Sequence, residues 1–295
     1  MQIKNIAVDQ NLKELTPHRT VVLPLACYNT TISEHINGYI PLHWHDEIQF
    51  VLVVKGEAGF QINEERIAVR KGDGLFINSG CLHMAEDKNN SGCSYVCLNV
   101  APHFILSQEL FATYIAPYIQ ATNLPYLYID ASEPWGKNIL DAVANVHQLI
   151  QPPPYYEMDI TLQLTLIWRN LIVNGFRLEY DQTEMVKSHR MKEMLHWIHE
   201  HYAEKITLDH IARAGQLSRS ECCRYFKRML NTTPLRYVTD YRIQKSLILL
   251  QQPQSTVTEV AYQVGFNSTS YFIDQFRKSM NMTPLAYKKH KMNDG

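Results

Sequence analysis

Between residues 20 and 100, apolar and polar positions alternate in short runs that glycine keeps interrupting. Residues 49–54, 59–63, 65–69 and 75–77 are such runs, with Lys55-Gly56 and Lys71-Gly72-Asp73-Gly74 between them. Side chains alternate across a strand, so period-two runs with frequent turns predict an antiparallel sandwich or barrel. From about residue 103 the apolar spacing lengthens to three and four, which predicts helices over 103–120, 136–150 and 156–179. A Pro-containing loop near 125 and the Pro152-Pro153-Pro154 break separate them. In the third, Ile160, Leu164, Ile167 and Leu171 form one stripe. It predicts either packing on the sheet or a seam between two copies of the chain. The polar stretch 181–188 reads as a linker, and beyond it everything reads as helix: 189–203, 207–214, 219–230, 234–251, 256–263, 269–280 and 284–289. Thr207 and Thr256 precede helix starts, and Pro234 and Pro284 suit a first helical turn.

The last hundred residues contain a repeat. Ser218-Arg219-Ser220 through Phe226-Lys227-Arg228 and on to Thr233-Pro234-Leu235-Arg236-Tyr237 returns fifty residues later. The second copy runs Ser268-Thr269-Ser270, Phe276-Arg277-Lys278, Thr283-Pro284-Leu285-Ala286-Tyr287. Ahead of each copy stands a small residue, Ala212 or Ala261, then a glycine turn, an apolar residue and a hydroxyl N-cap. The offset is 49 at the alanines and 50 from Ser218 onward, so the second turn is one residue longer. Such a unit is a helix-turn-helix: the small residue lets two helices approach, and the second helix points its N-terminal end into a major groove. Gly215 and Gly265 are both expected at turn positions with φ > 0. The helix between the copies, about 27 Å long at 1.5 Å per residue, could set two reading heads near one DNA turn apart.

Charge separates the halves. Residues 187–295 carry 17 Lys and Arg against 9 Asp and Glu, a net of +8, while residues 1–186 carry 11 against 20, a net of −9. A basic helical half on an acidic partner points to a polyanion-binding domain. No long apolar run marks a signal peptide at the N-terminus and none reaches transmembrane length, so no membrane is expected. The six cysteines (27, 81, 93, 97, 222, 223) form no Cys-x-x-Cys pair and read as free thiols of a reducing, cytoplasmic compartment.

Residues 189–291 resemble the DNA-binding domain of the AraC family of bacterial transcription regulators. Ala261-Tyr262-Gln263-Val264-Gly265-Phe266, Ser270-Tyr271-Phe272, Phe276-Arg277-Lys278 and Thr283-Pro284-Leu285-Ala286-Tyr287 carry that resemblance. It implies base contact from Arg219, Ser220, Cys223 and Arg224 in the first copy, while Lys227 reads as a phosphate anchor or solvated charge. In the second copy it implies contact from Thr269, Ser270 and Ile273, with Asn267 near the N-cap, while Arg277 reads as a phosphate anchor or solvated charge. Helical spacing agrees for the first: 220, 223, 224 and 227 share one face, and Cys222, Tyr225, Phe226 and Met229 the buried one. Arg224 is the candidate for bidentate guanine readout. Asp274, on the second helix, should repel phosphate, so most specificity is expected in the first copy. Phe226, Phe276 and Tyr271 read as core.

His43-Trp44-His45, followed by Gln49 and Gly56, then Gly72-Asp73, Asn78-Ser79-Gly80 and His83, resembles the two motifs of cupin barrels. Metal cupins place a glutamate four residues after the second histidine, where this chain has Gln49. Three readings of this half stay open. His43, Trp44, His45, Gln49 and His83 could line a pocket for a small polar effector such as a sugar. His43, His45 and His83 could hold a divalent metal. The histidines could simply be hydrogen-bonded in a structural barrel.

The expected architecture is therefore an α+β two-domain chain. Residues 1–180 form a cupin-like antiparallel β-barrel with a helical extension for effector sensing and dimerisation. Residues 181–188 link it to an all-α double helix-turn-helix domain, 189–295. The expected function is that of a cytoplasmic transcription regulator, an activator contacting RNA polymerase and binding double-stranded DNA as a homodimer. No catalysis and no cofactor is expected, the metal being the alternative. The competing classes are a metal-dependent cupin enzyme with a DNA-binding tail, and a DNA-binding protein without an effector.

Overall fold

The computed structural model describes residues 6–293 except 10, 11, 21, 150–154, 174–177, 180, 181, 231 and 253. The chain divides into two compact units, Met1–Met185 and Val186–Gly295.

The first unit contains strands β1 (Leu25–Thr31), β2 (Ile40–His43), β3 (Ile48–Lys55), β4 (Glu57–Ile62), β5 (Glu65–Arg70), β6 (Gly74–Ile77), β7 (His83–Asp87), β8 (Ser94–Val100) and β9 (Tyr126–Ile129). They pair antiparallel as a five-stranded sheet, β1-β8-β3-β6-β9, and a four-stranded sheet, β2-β7-β4-β5. Helices α1 (Gln108–Tyr114), α2 (Ala116–Gln120), α3 (Pro134–Leu149) and α4 (Tyr156–Ile172) complete this unit.

Alternation explains the layering. On β1 and β3, Leu25, Cys27, Ile48 and Phe50 point to one face of the five-stranded sheet and pack with Ile139, Val143 and Val146 of α3 and Ile160, Leu164, Ile167 and Leu171 of α4. Ala26, Tyr28, Val51 and Val53 point to the other face and pack against Ile40, Phe60, Ile62 and Ala85 of the four-stranded sheet. The five-stranded sheet is thus buried on both faces. The stripe 160-164-167-171 packs into this core, so it is not the seam between copies. Asn78, in the second cupin-like motif, fastens the sheet to the helical extension: its Nδ2 donates to the Tyr118 and Leu124 carbonyls, 2.9 Å each.

The expected helix 103–120 is broken into a 3-10 turn, α1 and α2, and the loop near 125 contains β9, paired with β6. Pro152-Pro153-Pro154 lies outside the described residues.

The rest of the chain is helical: α5 (Gln182–His201), α6 (Leu208–Ala214), α7 (Arg219–Leu230), α8 (Pro234–Leu250), α9 (Val257–Gln263), α10 (Thr269–Met280) and α11 (Pro284–Asn293). The expected linker 181–188 is, from Gln182, the start of α5, and the division between the units falls inside it. Local chemistry sets the other starts. The Thr207 and Thr233 hydroxyls accept from backbone N–H groups three residues on, and Thr256 with Glu259 forms a reciprocal capping box. Among the described residues no helix is long and apolar enough to cross a membrane.

Candidate ligand cavity and DNA-reading face

The two cupin-like motifs converge between the sheets. His43 closes β2 and pairs directly with His83, the first residue of β7. Gln49 of β3 lies opposite Asn99 of β8. Ring centroids are 4.2 Å apart for His43 and His83, and 5.1 Å for His45 and His83. His43 and His83 border a cavity of about 40 Å³ lined also by Glu14, His18, His35, Gln49 and Asn99 among others, whereas His45, expected to line it, meets it only through its ring contacts with His43 and His83.

Three histidines share one hydrogen-bonding arrangement. The Nδ1 atoms of His43, His45 and His83 lie 2.8, 3.0 and 2.9 Å from the carbonyls of Pro41, Glu47 and Cys81. A ring nitrogen facing a carbonyl carries the proton, so the Nε2 atoms of His43 and His83 keep their lone pairs, whereas His45 faces an oxygen acceptor from both ring nitrogens. His45 Nε2 sits 3.1 Å from the Gln49 carboxamide, and His83 Nε2 is buried with no hydrogen-bond partner among the described residues. Burial keeps all three rings from protonating, with smaller repulsion among neighbouring histidines. His43 falls to about 3, His83 well below the ordinary 6.5, and His45 is lowered.

Two further ligand-type residues come from the N-terminal segment, where sequence reasoning assigned nothing. The Glu14 N–H donates to the Trp44 carbonyl (2.8 Å) and the Trp44 N–H to the Leu12 carbonyl (3.0 Å), which carries Glu14 and His18 into the cavity. His18 Nε2 is 3.0 Å from Glu14 Oε2, and His43 Nε2 is 3.7 Å from the same oxygen. Glu14 Oε1 has no hydrogen-bond partner among the described residues. Burial alone would raise the Glu14 carboxyl. The hydrogen bond and charge of His18, with lesser help from Thr16 and His45, outweigh it and hold the pKa below its usual value. Among the described residues, ligand atoms of His43, His45 and His83 fall within 4.8 Å of one another, as do those of Glu14, His18 and His45.

Trp44 is a correction. Placed with the effector residues, it does not border the cavity; Lys13 Nζ sits over its ring, 5.2 Å from the centroid. The alternation that turns His43 and His45 inward turns the residue between them away.

In the second unit the repeat is built twice, as α6–α7 and α9–α10. Leu217 N–H to Ala212 carbonyl and Phe266 N–H to Ala261 carbonyl, both 2.9 Å, close the two turns identically. That places Gln216, not Gly215, opposite Gly265: Gln216 has φ 54° and Gly265 φ 88°. The expectation of positive φ therefore holds for Gly265 and fails for Gly215, whose φ is −85°. Gly215 is small for another reason, since a Cβ there would lie 2.7 Å from Met194 Cγ. The extra residue of the second turn is Asn267, inserted after the matched Leu217 and Phe266 positions.

On α7, Cys222, Phe226 and Met229 are buried; Arg219, Ser220, Arg224 and Lys227 are exposed, with Cys223 half-buried. Arg219 is held by Asp209 of α6 in an exposed two-point ion pair. On α10, Phe272 and Phe276 are buried, while Asn267, Ser270 and Arg277 are exposed and Thr269 half-buried. Ile273 packs partly on the core of this copy. Tyr271 corrects the sequence reading: it is 53% exposed rather than core, resting its ring against Phe266. Asp274 is paired with Lys278 at 2.7 Å, which offsets its charge locally.

The profile described as AraC-like ligand binding domain matches residues 30–111, and that described as Helix-turn-helix domain matches 211–290. The uncharacterized HTH-type transcriptional regulator YdeC of Bacillus subtilis is 72% identical to this chain, covering 97% of it and 99% of its own length. The HTH-type transcriptional activator RhaS of Escherichia coli is 23% identical over 83% of this chain and 86% of its own. Among solved structures, an apo form of ToxT from Vibrio cholerae aligns with 92% of this chain and 98% of its own at 13% identity and a TM-score of 0.45. With an AraC-like ligand-binding domain ahead of its duplicated DNA-binding unit, the chain belongs to the AraC-type family of helix-turn-helix transcriptional regulators.

Proposed function

We propose that the chain regulates transcription, and catalyses no reaction, by reading two adjacent stretches of duplex DNA under the control of a small ligand in the barrel. The observation that carries this is the double helix-turn-helix joined by α8, about 25 Å long at 17 residues. Each copy exposes the N-terminal end of its second helix, as a major-groove reader must. Ser220, Arg224 and Lys227 of α7, with Cys223 at its edge, and Asn267, Ser270 and Arg277 at α10 are the DNA-facing set. Arg219 joins it on leaving Asp209, and Tyr271 is added. Thr269 and Ile273 contribute less because they are part-buried. RhaS is named an activator, and activation through RNA polymerase, in the cytoplasm, is the sense of regulation carried over to this chain.

Size and chemistry constrain the ligand. Pockets for drug-sized molecules run to roughly 300–1,000 Å³, whereas this cavity is about 40 Å³. That supports an ion or a few-atom polar ligand over a sugar. For dimerisation, α4 offers the face opposite its buried stripe: Met158, Leu162 and Leu166 are exposed at spacings of four. A second copy of this chain, pairing α4 with α4, would cover them.

Selection from a random duplex pool by the full chain tests the reading. Enrichment of a motif with two blocks about 10 base pairs apart is the expected result. Recovery of unenriched DNA would refute it. On the selected duplex, Arg224→Ala should cost about 1–3 kcal/mol with little loss on random DNA.

A further inference from the structure

We propose that the barrel is a site for a divalent transition-metal ion, held by the Nε2 atoms of His43 and His83 and by the carboxylate of Glu14, with His45 Nε2 joining them on leaving Gln49 Oε1. Four independent features converge on it. The three rings are anchored through Nδ1 to backbone carbonyls, the arrangement by which proteins fix the tautomer and aim of a metal-ligating histidine. His83 Nε2 and Glu14 Oε1 are buried without hydrogen-bond partners among the described residues, and a buried polar atom left so destabilises the fold unless something binds it. Among the described residues Glu14 is the one acidic group lining the cavity, and His18 holds its other oxygen at 3.0 Å. The cavity admits an ion with a water or two and little more.

The donor set selects the metal class. Three imidazoles and one carboxylate suit zinc, iron, cobalt or nickel; calcium and magnesium prefer oxygen ligands throughout. Because Glu14 lies on the N-terminal segment and the histidines on β2, β7 and the chain just after β2, one bound ion would tie that segment to both β2 and β7. The site deepens the sensor reading above, but binding itself does not depend on it.

The test uses the full chain, stripped with a chelator and titrated with Zn(II) by calorimetry and with Co(II) by its visible absorption. One ion per chain is expected, with the spectrum of a nitrogen- and oxygen-ligated Co(II). Glu14→Gln and His83→Ala should each weaken binding by about 10-fold or more, whereas His196→Ala, in the other unit, should not. If His83→Ala does not fold by circular dichroism, the isosteric Glu14→Gln decides. Uptake below about a tenth of an ion per chain, or full affinity in Glu14→Gln, would overturn the proposal. The two readings fail separately. Stoichiometric binding that leaves DNA affinity unchanged would fault the sensor role and keep the site. No binding would remove the site and leave the sensor to another ligand.

Discussion

In the barrel unit, Glu14, His18, His35, His43, His45, Gln49, His83 and Asn99 all lie under 10% exposed, gathered about one cavity. In the helical unit the core of the second copy is Ile243, Leu247, Phe266, Phe272, Phe276 and Tyr287, and the charged side chains are exposed or, as at Asp240, Arg242 and Lys245, half-buried. One unit keeps its chemistry inside and the other outside. Burying polar groups costs free energy unless they are paired, and in the barrel Glu14 Oε1 and His83 Nε2 are buried without hydrogen-bond partners among the described residues. The reader presents its charged contacts at its surface, and its buried polar side chains His199, Ser246 and Gln275 are tied by hydrogen bonds within the unit. Substitutions should therefore act in opposite ways in the two units.

The largest effect belongs to the apolar interior. Phe276→Ala should destabilise the helical unit by about 3–5 kcal/mol, read as loss of amide protection in hydrogen exchange confined to α8–α11. A loss spread equally over the barrel would break the contrast.

Acid should find the barrel first. His43, pushed down to about 3, stays neutral in the folded chain while the unfolded chain takes up a proton below the ordinary 6.5. Stability is therefore full above about pH 6.5 and falls as pH drops from there, by about 1.4 kcal/mol per unit for this ring. His45 and His83, also lowered, act in the same direction, as does Glu14 on losing its charge. These groups and His18 and His35 face one another across the cavity. Metal-free protein moved from pH 7.5 to 5.0 should lose protection in β2, β3 and β7 before α7 or α10. The reverse order would contradict the account.

The two turns give a sharper test at smaller scale. Gly265→Ala puts a Cβ into a positive-φ position 2.6 Å from the Tyr202 carbonyl oxygen, a backbone atom. It should cost about 1–3 kcal/mol. Gly215→Ala meets the flexible Met194 side chain at negative φ and should cost less. Equal melting temperatures for the two variants would void the alignment of Gln216 with Gly265. Smallest of all, Asp274→Asn removes an exposed ion pair worth about 0.2–1 kcal/mol. Its effect on DNA affinity should stay within about threefold, because Lys278 already offsets the carboxylate.

Much of this organisation was legible in the chain because its causes are local. Thr207, Thr256, Pro234 and Pro284 mark helix starts through their own backbone neighbours, and the repeat doubled every signal. The pair His43 and His45 followed from strand period alone, which should also have excluded Trp44. Other features were hidden by distance. Glu14 and His18 sit in a segment with no periodicity, and only backbone pairing with residue 44 brings them to histidines about twenty-five or more positions away. The short β9 follows Pro125, which reads as a loop until β6 is there to pair with it. Gly215 misled because glycine serves close approach as well as positive φ, and Tyr271 because an aromatic on a helix reads as core until the burial of its face is known.

On the proposed reading, what the barrel holds governs what the reader binds. The affinity of the full chain for its selected duplex, measured by fluorescence anisotropy in metal-stripped and Zn(II)-loaded forms at one salt concentration, tests it most directly. The account predicts a difference of at least about fivefold, the low end of ordinary coupling between sites, lost in Glu14→Gln. Equal affinities for the stripped and loaded chains, with the ion demonstrably bound, would contradict it.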